Sequence, residues 1–270
     1  MKTMILGAVA YDPKIVLIWD IIRDYFNFRG TRLDYLLFSN YEFQVQSLLN
    51  GTIDIAWNTN VAWLETLHAS GGAAKALIMR DTDTNFTSKL IARAESKIKS
   101  LSDLNGKTVA LGSADSAQAA ILPKYYIDRE GVRFNELRFN SDVGKHGDTG
   151  RSENSVLEAV KSGKADAGAV GSSTWIRMLE GGEFAEGEIE SFWTTPEYCH
   201  CNFTALAAAD TALCDLFVKT LLGMDANDPQ IRKMMAMEGL NRWVKTTADH
   251  LRGYNDLSAA MDKYDLYKGF

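Results

Sequence analysis

The chain has 270 residues, 46% of them hydrophobic and 24% charged, and a formal net charge of −6. This is a globular composition, long enough for a large core and for one or two lobes. Lys and Arg are scattered without a basic stripe, which argues against nucleic acid as a partner. The apolar runs fall far short of the ~20 residues of a membrane span, which argues against membrane insertion. The three cysteines, Cys199, Cys201 and Cys214, are too few and odd in number for a disulfide framework. MKTMILGAVAY leads straight into an apolar strand pattern rather than a basic n-region and cleavage site. The expectation is a cytoplasmic protein as written, or a periplasmic one whose leader has been removed.

In chain order, residues 2–9 read as a buried strand, and Asp12-Pro13 as a helix start, with Asp capping and Pro at the first helical position. Ile15, Ile18, Trp19, Ile22 and Phe26 then recur at helical spacing. A strand is predicted over 33–38. Ser39 to Glu42 has the spacing of a capping box and opens a helix that ends at Gly51. Strands over 52–57 and 75–79 bracket a helix opened by Asn58-Thr59-Asn60. The alternation of strand and helix is that of a mostly parallel sheet flanked by helices. A strand over 88–94 follows, then a short capped turn, SLSDLNG.

Lys107 to Ile127, KTVALGSADSAQAAILPKYYI, organises the second half. It reads as a buried strand over 108–111, a small polar turn over 112–116, and a helix. Such a junction aims backbone N–H groups and the positive end of a helix dipole at one spot, which suits a small anion. Further on come a strand ending near Phe139, a polar Gly-bracketed loop over 144–148, and a helix from Ser152. A strand over 165–170 precedes a helix capped by Gly171 to Thr174. Residues 191–209 are extended, and the last sixty residues are helical.

Two α/β units follow from this pattern. The expected boundaries are lobe 1 over 1–87 plus 205–270, lobe 2 over 95–190, and hinge crossovers at 88–94 and 191–204. Ligands of open α/β sheets bind at the carboxyl ends of the strands, where the polar turns lie. Two facing lobes would bring those turns together in a cleft.

GTIDIAWNTNVAWL (51–64), SLSDLNGKTVALGSADSAQAAILP (100–123), ENSVLEAVKSGKADAGAVGSSTW (153–175) and TTPEYCHCNFTALAAAD (194–210) together resemble a known family. It is the type 2 periplasmic-binding-protein fold, and within it the phosphate/phosphite/phosphonate substrate-binding proteins of ABC transporters. The resemblance spans nearly the whole chain. It implies an α/β, two-lobed fold with two crossover segments and a ligand cleft between the lobes. It implies a binding protein that closes on a small anionic or zwitterionic ligand of the phosphonate/oxyanion type, with a transporter permease as partner. No cofactor and no metal are called for.

At matched positions the resemblance implies Tyr11, Tyr41, Ser113, Ser116, His146 and Ser172 as ligand contacts. Asn58 joins them in the first lobe wall. Asp115 interrupts the family's hydroxyl run, and a carboxylate aimed into the cleft would favour a ligand with a donor or cationic group. Arg80, beside Asp81 and Asp83, is open to two readings: a bidentate pair with the ligand, or an Arg–Asp pair bracing the loop. Around Tyr198, strand alternation would put Cys199 and Cys201 on one face and His200 on the other. The thiols are open to packing, ligand contact or catalysis. The alternative function is accordingly a cytoplasmic enzyme on the same fold, acting on a small organic acid or organosulfur compound through Cys199 or Cys201 with His146 or His200.

Overall fold

The computed structural model describes residues 2–268 and divides into two compact units. One comprises the chain up to Asn85, Cys199–Asn255 and the tail from Leu266. The other comprises Phe86–Tyr198 and Asp256–Asp265.

The first unit holds β1 (Met4–Val9), α1 (Lys14–Phe28), β2 (Leu33–Phe38), α2 (Tyr41–Leu49), β3 (Ile55–Asn58), α3 (Asn60–Ala69) and β4 (Ala74–Arg80). The second holds β5 (Ser88–Arg93), β6 (Thr108–Leu111), α4 (Leu122–Arg129), β7 (Asn135–Arg138), α5 (Arg151–Lys161), β8 (Ala167–Gly171), α6 (Ser172–Glu180) and β9 (Ile189–Thr194). The chain then returns with β10 (Asn202–Leu206), α7 (Thr211–Leu222), α8 (Pro229–Glu238), β11 (Trp243–Lys245) and α9 (Ala248–Arg252). It ends with α10 (Asn255–Lys263), most of which belongs to the second unit.

The first sheet has the order β11-β4-β10-β3-β1-β2. β1 pairs parallel with β2 and β3, while β10 runs antiparallel between β3 and β4. β1 shows why the sequence takes this form. Met4, Leu6 and Ala8 alternate onto one face, where Ile15, Ile18, Trp19, Ile22 and Phe26 of α1 cover them. Val9 packs on the other side with Tyr41, Val45 and Ala62. Phe203 of β10 anchors the larger core, with ring centroids 4.6 Å from Trp57 and 4.9 Å from Phe217. Such pairs add about 0.5–1.5 kcal/mol each beyond their buried area.

The second sheet has the order β7-β6-β8-β5-β9. β6 pairs parallel with β7 and β8, and β5 lies antiparallel between β8 and β9. Val109 and Leu111 face Ile127, while Ala110 faces Val156 and Val160.

Several expectations change. The capping box at Ser39 is absent: Asn40 caps α2 and accepts the Phe43 N–H at 2.9 Å. The strand expected over 88–94 is present as β5, but it lies inside the second sheet, between β8 and β9, rather than serving as a crossover. The return of the C-terminal helices to the first unit fails for α10, whose Leu257 and Met261 are buried and whose Asp256 accepts the Tyr126 hydroxyl. β11, three residues long, carries no periodicity to mark it. No helix among the described residues is long and apolar enough to cross a membrane.

Candidate functional site

In the first unit, the expected residues lie where the strands end. Tyr11 follows β1 and is half-buried against the core. Tyr41 opens α2 and is buried with Val9, Val45 and Ala62. Asn58, the last residue of β3, is fully buried. Its Oδ1 accepts from Gln44 Nε2 at 2.8 Å, and its Nδ2 donates to Thr66 Oγ1 at 3.3 Å. It ties α2, β3 and α3 together.

Arg80 ends β4. Its Nε and Nη2 donate to Asp83 at 2.6 and 2.8 Å, and its Nη1 donates to the Glu238 carbonyl at 2.7 Å and carboxylate at 3.1 Å. The guanidinium carbon stands 5.3 Å from the Trp57 ring centre. This is the geometry of a loop brace. Burial works against the Arg80 charge, yet Asp83 and Glu238 raise its pKa well above the ordinary value. Burial in turn raises the Glu238 carboxyl, against the pull of Arg80.

His200 and Cys201 precede β10, outside the strand, so the expected alternation does not apply. His200 Nδ1 lies 3.0 Å from Cys201 Sγ and 3.7 Å from Asp83 Oδ1. Burial pushes the imidazole down to about 4; Asp83 opposes this and Arg80 adds to it. Donor atoms of Asp83, His200 and Cys201 lie within 4.8 Å of one another, but the Arg80 fork already holds Asp83. Cys199 donates its N–H to Gly253 O at 3.1 Å and its Sγ to Thr84 O at 3.5 Å. Burial, and then Asp83, push the thiol up to about 12. A thiol so far from ionising is no nucleophile at neutral pH. Of the expected alternative, Cys199 or Cys201 with His146 or His200, the pair of Cys199 and His200 is not poised for catalysis: burial keeps the one protonated and the other neutral.

In the second unit, the turn after β6 is the most elaborated strand end. Gly112 lets the chain pass under α5 and the following helix: a Cβ there would lie 2.7 Å from Ala119 Cβ. Ser116 caps the helix, its Oγ accepting the Ala119 N–H at 3.2 Å. The first turn, Ala117–Ile121, is widened, and the Ile121 N–H reaches back five residues to Ser116 O at 2.9 Å. Widened turns of this kind occur frequently at functional sites. Ser113 Oγ donates to Phe139 O at 3.3 Å and accepts the Asp142 N–H at 2.9 Å. Asp115 Oδ2 accepts the Gly144 N–H at 2.5 Å. His146 is buried with a positive φ of 52°, a conformation few non-glycine residues adopt. Ser172 opens α6, half-buried, its N–H on Thr87 O at 2.9 Å.

Sequence reasoning passed over Gln118, Asp142 and Glu153. Asp142 accepts the Ser152 N–H at 3.0 Å and the Ser152 hydroxyl at 2.8 Å, which fixes the start of α5. Glu153 accepts the Gly171 N–H at 2.8 Å and a longer bond from Gln118 Nε2 at 3.4 Å. Burial raises its pKa against the hydrogen bonds from Gly171, Thr174 and Gln118. One signal was present: Glu153 shares the apolar stripe of Val156, Leu157 and Val160 at helical spacing.

A family model described as "ABC transporter, phosphonate, periplasmic substrate-binding protein" matches residues 10–251. The probable ABC transporter phosphite-binding protein PhnD1 of Prochlorococcus marinus (strain MIT 9301) is 21% identical over 239 residues, 85% of this chain and 78% of the relative. Its structure in complex with methylphosphonate superposes with a TM-score of 0.75 at 19% identity, covering 98% of each chain. A Xanthomonas citri protein bound to ATP gives 0.78 at 19% identity over 99% of each. At these identities the structural likeness establishes the fold, and its members bear ligands as different as methylphosphonate and ATP. With nine-tenths of its length matched by the family model, the chain belongs to the phosphonate family of periplasmic substrate-binding proteins of ABC transporters.

Proposed function

We propose that this protein binds a small tetrahedral oxyanion of the phosphonate type and delivers it to a transporter permease. The periplasm of its family is the compartment proposed for that work. One observation carries the reading: the turn over 113–118, where a strand end, a serine cap and a widened first helical turn coincide. Backbone N–H groups at such a turn match an oxyanion in charge and direction without a cationic side chain. Ser113 and Ser116 are the hydroxyls proposed for the ligand there, with His146 and Ser172 as neighbours in the same unit. Tyr11 and Tyr41 remain candidates in the first unit, which their phenylalanine variants would decide. Asn58, Arg80, Asp83 and His200 are proposed as internal framework: Arg80 forks onto Asp83, His200 lies between Asp83 and Cys201, and Asn58 ties α2 to α3 through Gln44 and Thr66. Asp115 is proposed to hold the Gly144 N–H rather than to select a cationic ligand.

Thermal shift and calorimetry with methylphosphonate, phosphite, inorganic phosphate and ATP test this. Binding of one of the first three, weakened at least tenfold in Ser116→Ala, is the expected result. Stabilisation by ATP alone, or by none of the four, would overturn it.

A further inference from the structure

The loop that follows β7, residues 139–150, lies along the turn over 113–118 and is bonded to it almost residue by residue. Phe139 O takes the Ser113 hydroxyl, and Asn140 Oδ1 takes the Ala114 N–H at 3.1 Å. The Asp142 N–H reaches Ser113 Oγ, the Gly144 N–H reaches Asp115, and His146 O takes Gln118 Nε2 at 3.4 Å. At the far end the backbone itself closes in. A Cβ on Gly147 would lie 2.5 Å from Ser116 Oγ and 2.8 Å from Gln118 Nε2, at a φ of +87° that already favours glycine. Two donors of the turn, the Ser113 hydroxyl and the Ala114 N–H, thus meet neutral acceptors of this one loop, and the Gln118 amide is shared between His146 O and the Glu153 carboxylate.

We propose that residues 139–147 determine what the turn accepts, by acting as an internal occupant, with Asn140 as the exchangeable group. A charged oxygen makes hydrogen bonds roughly twice as strong as a neutral carbonyl does. An oxyanion therefore displaces the Asn140 amide oxygen from Ala114, and a neutral ligand does not. The loop sets the threshold of charge that a ligand must bring. This rests on the proposed oxyanion reading of the turn.

Asn140 is exposed and leaves the core untouched, so its variants are expected to fold; a melt of each confirms it. Calorimetry with methylphosphonate and inorganic phosphate, on the native chain, Asn140→Ala and Asn140→Asp, gives the sign. Removing the amide frees one donor, and Asn140→Ala is expected to bind roughly two- to tenfold tighter, the worth of the one neutral hydrogen bond that the ligand no longer has to displace. Asn140→Asp, with a charged competitor, is expected to bind at least tenfold weaker. A loop that merely scaffolds the turn predicts the reverse for alanine, and weaker binding in Asn140→Ala would overturn the proposal while leaving the function standing. A native chain that binds neither anion would overturn both.

Discussion

At the scale of single residues, burial decides more than residue type does. Cys199, His200 and Cys201 are a reactive-looking trio in the sequence, yet the fold places all three out of water. With the Cys199 thiol pushed up to about 12, alkylation of the native protein at pH 8 is expected to leave this position unmodified, and labelling is expected only after denaturation. Intact-mass measurement before and after denaturant checks this, and rapid native labelling at Cys199 would refute it. His200 gives a pH dependence. Its folded pKa of about 4 lies below the ordinary 6.5. Between those values the unfolded chain binds a proton that the folded chain refuses. Its contribution is therefore fully present above pH 6.5 and is lost as pH falls toward 4, about 3 kcal/mol in all. Urea melts from pH 4 to 7 are expected to show this slope, and to show it flattened in His200→Gln.

At the scale of elements, close approach and paired charge hold the pieces together. Gly168 lets β8 lie on α5, since a Cβ there would meet Val156 Cγ1 at 2.5 Å. Gly168→Ala is expected to cost about 1–3 kcal/mol by overpacking, and Val156→Ala in the same chain is expected to recover part of it. The urea midpoints of the single and double variants measure the coupling. Arg80 brackets the end of β4 between Asp83 and Glu238, whose side chains are 0% and 2% exposed. Arg80→Met strands two buried carboxylates and is expected to cost about 3–5 kcal/mol. A cost under 1 kcal/mol would mean that the brace is ornamental.

At the scale of the whole molecule, the connectivity is richer than two crossovers. The chain passes between its two units after Asn85, after Tyr198, after Asn255 and again after Asp265. α10 is the reason. Its Leu257 and Met261 are buried, its Asp256 accepts the Tyr126 hydroxyl of the second unit, and Tyr264 donates to Asp128 at 2.6 Å. A chain ending at residue 254 loses all of these. Burial of the two apolar side chains alone is worth about 3 kcal/mol or more, so a clearly lower denaturation midpoint is expected. An unchanged midpoint would show that α10 contributes no stability. Ligand acts on the same midpoint from outside. At a hundredfold excess over Kd, the oxyanion is expected to stabilise the native state by about 2.7 kcal/mol.

Much of the architecture was legible in the sequence because it is written in local periodicity. Strand β2, at 33–38, and strand β6, at 108–111, appear where alternation and apolar runs predict them. The junction after β6 was readable because a strand, a glycine and serines at a helix start can form little else. What remained hidden depends on partners distant in sequence. Asn40 rather than Ser39 caps α2, and only backbone direction separates two adjacent polar residues. β11 exists because β4 offers it an edge, not because three residues insist on being a strand. Arg80 could have met a ligand or a neighbour, and only the return of α8 brings Glu238 beside it. The sequence by itself determined most of the elements and the polar turn, since these rest on spacing along the chain, and its motifs carried the resemblance to the family. Tertiary structure alone decided which donors of that turn already have partners, and which charges lie buried together. Those outcomes depend on contacts between residues far apart in the chain, which spacing does not encode.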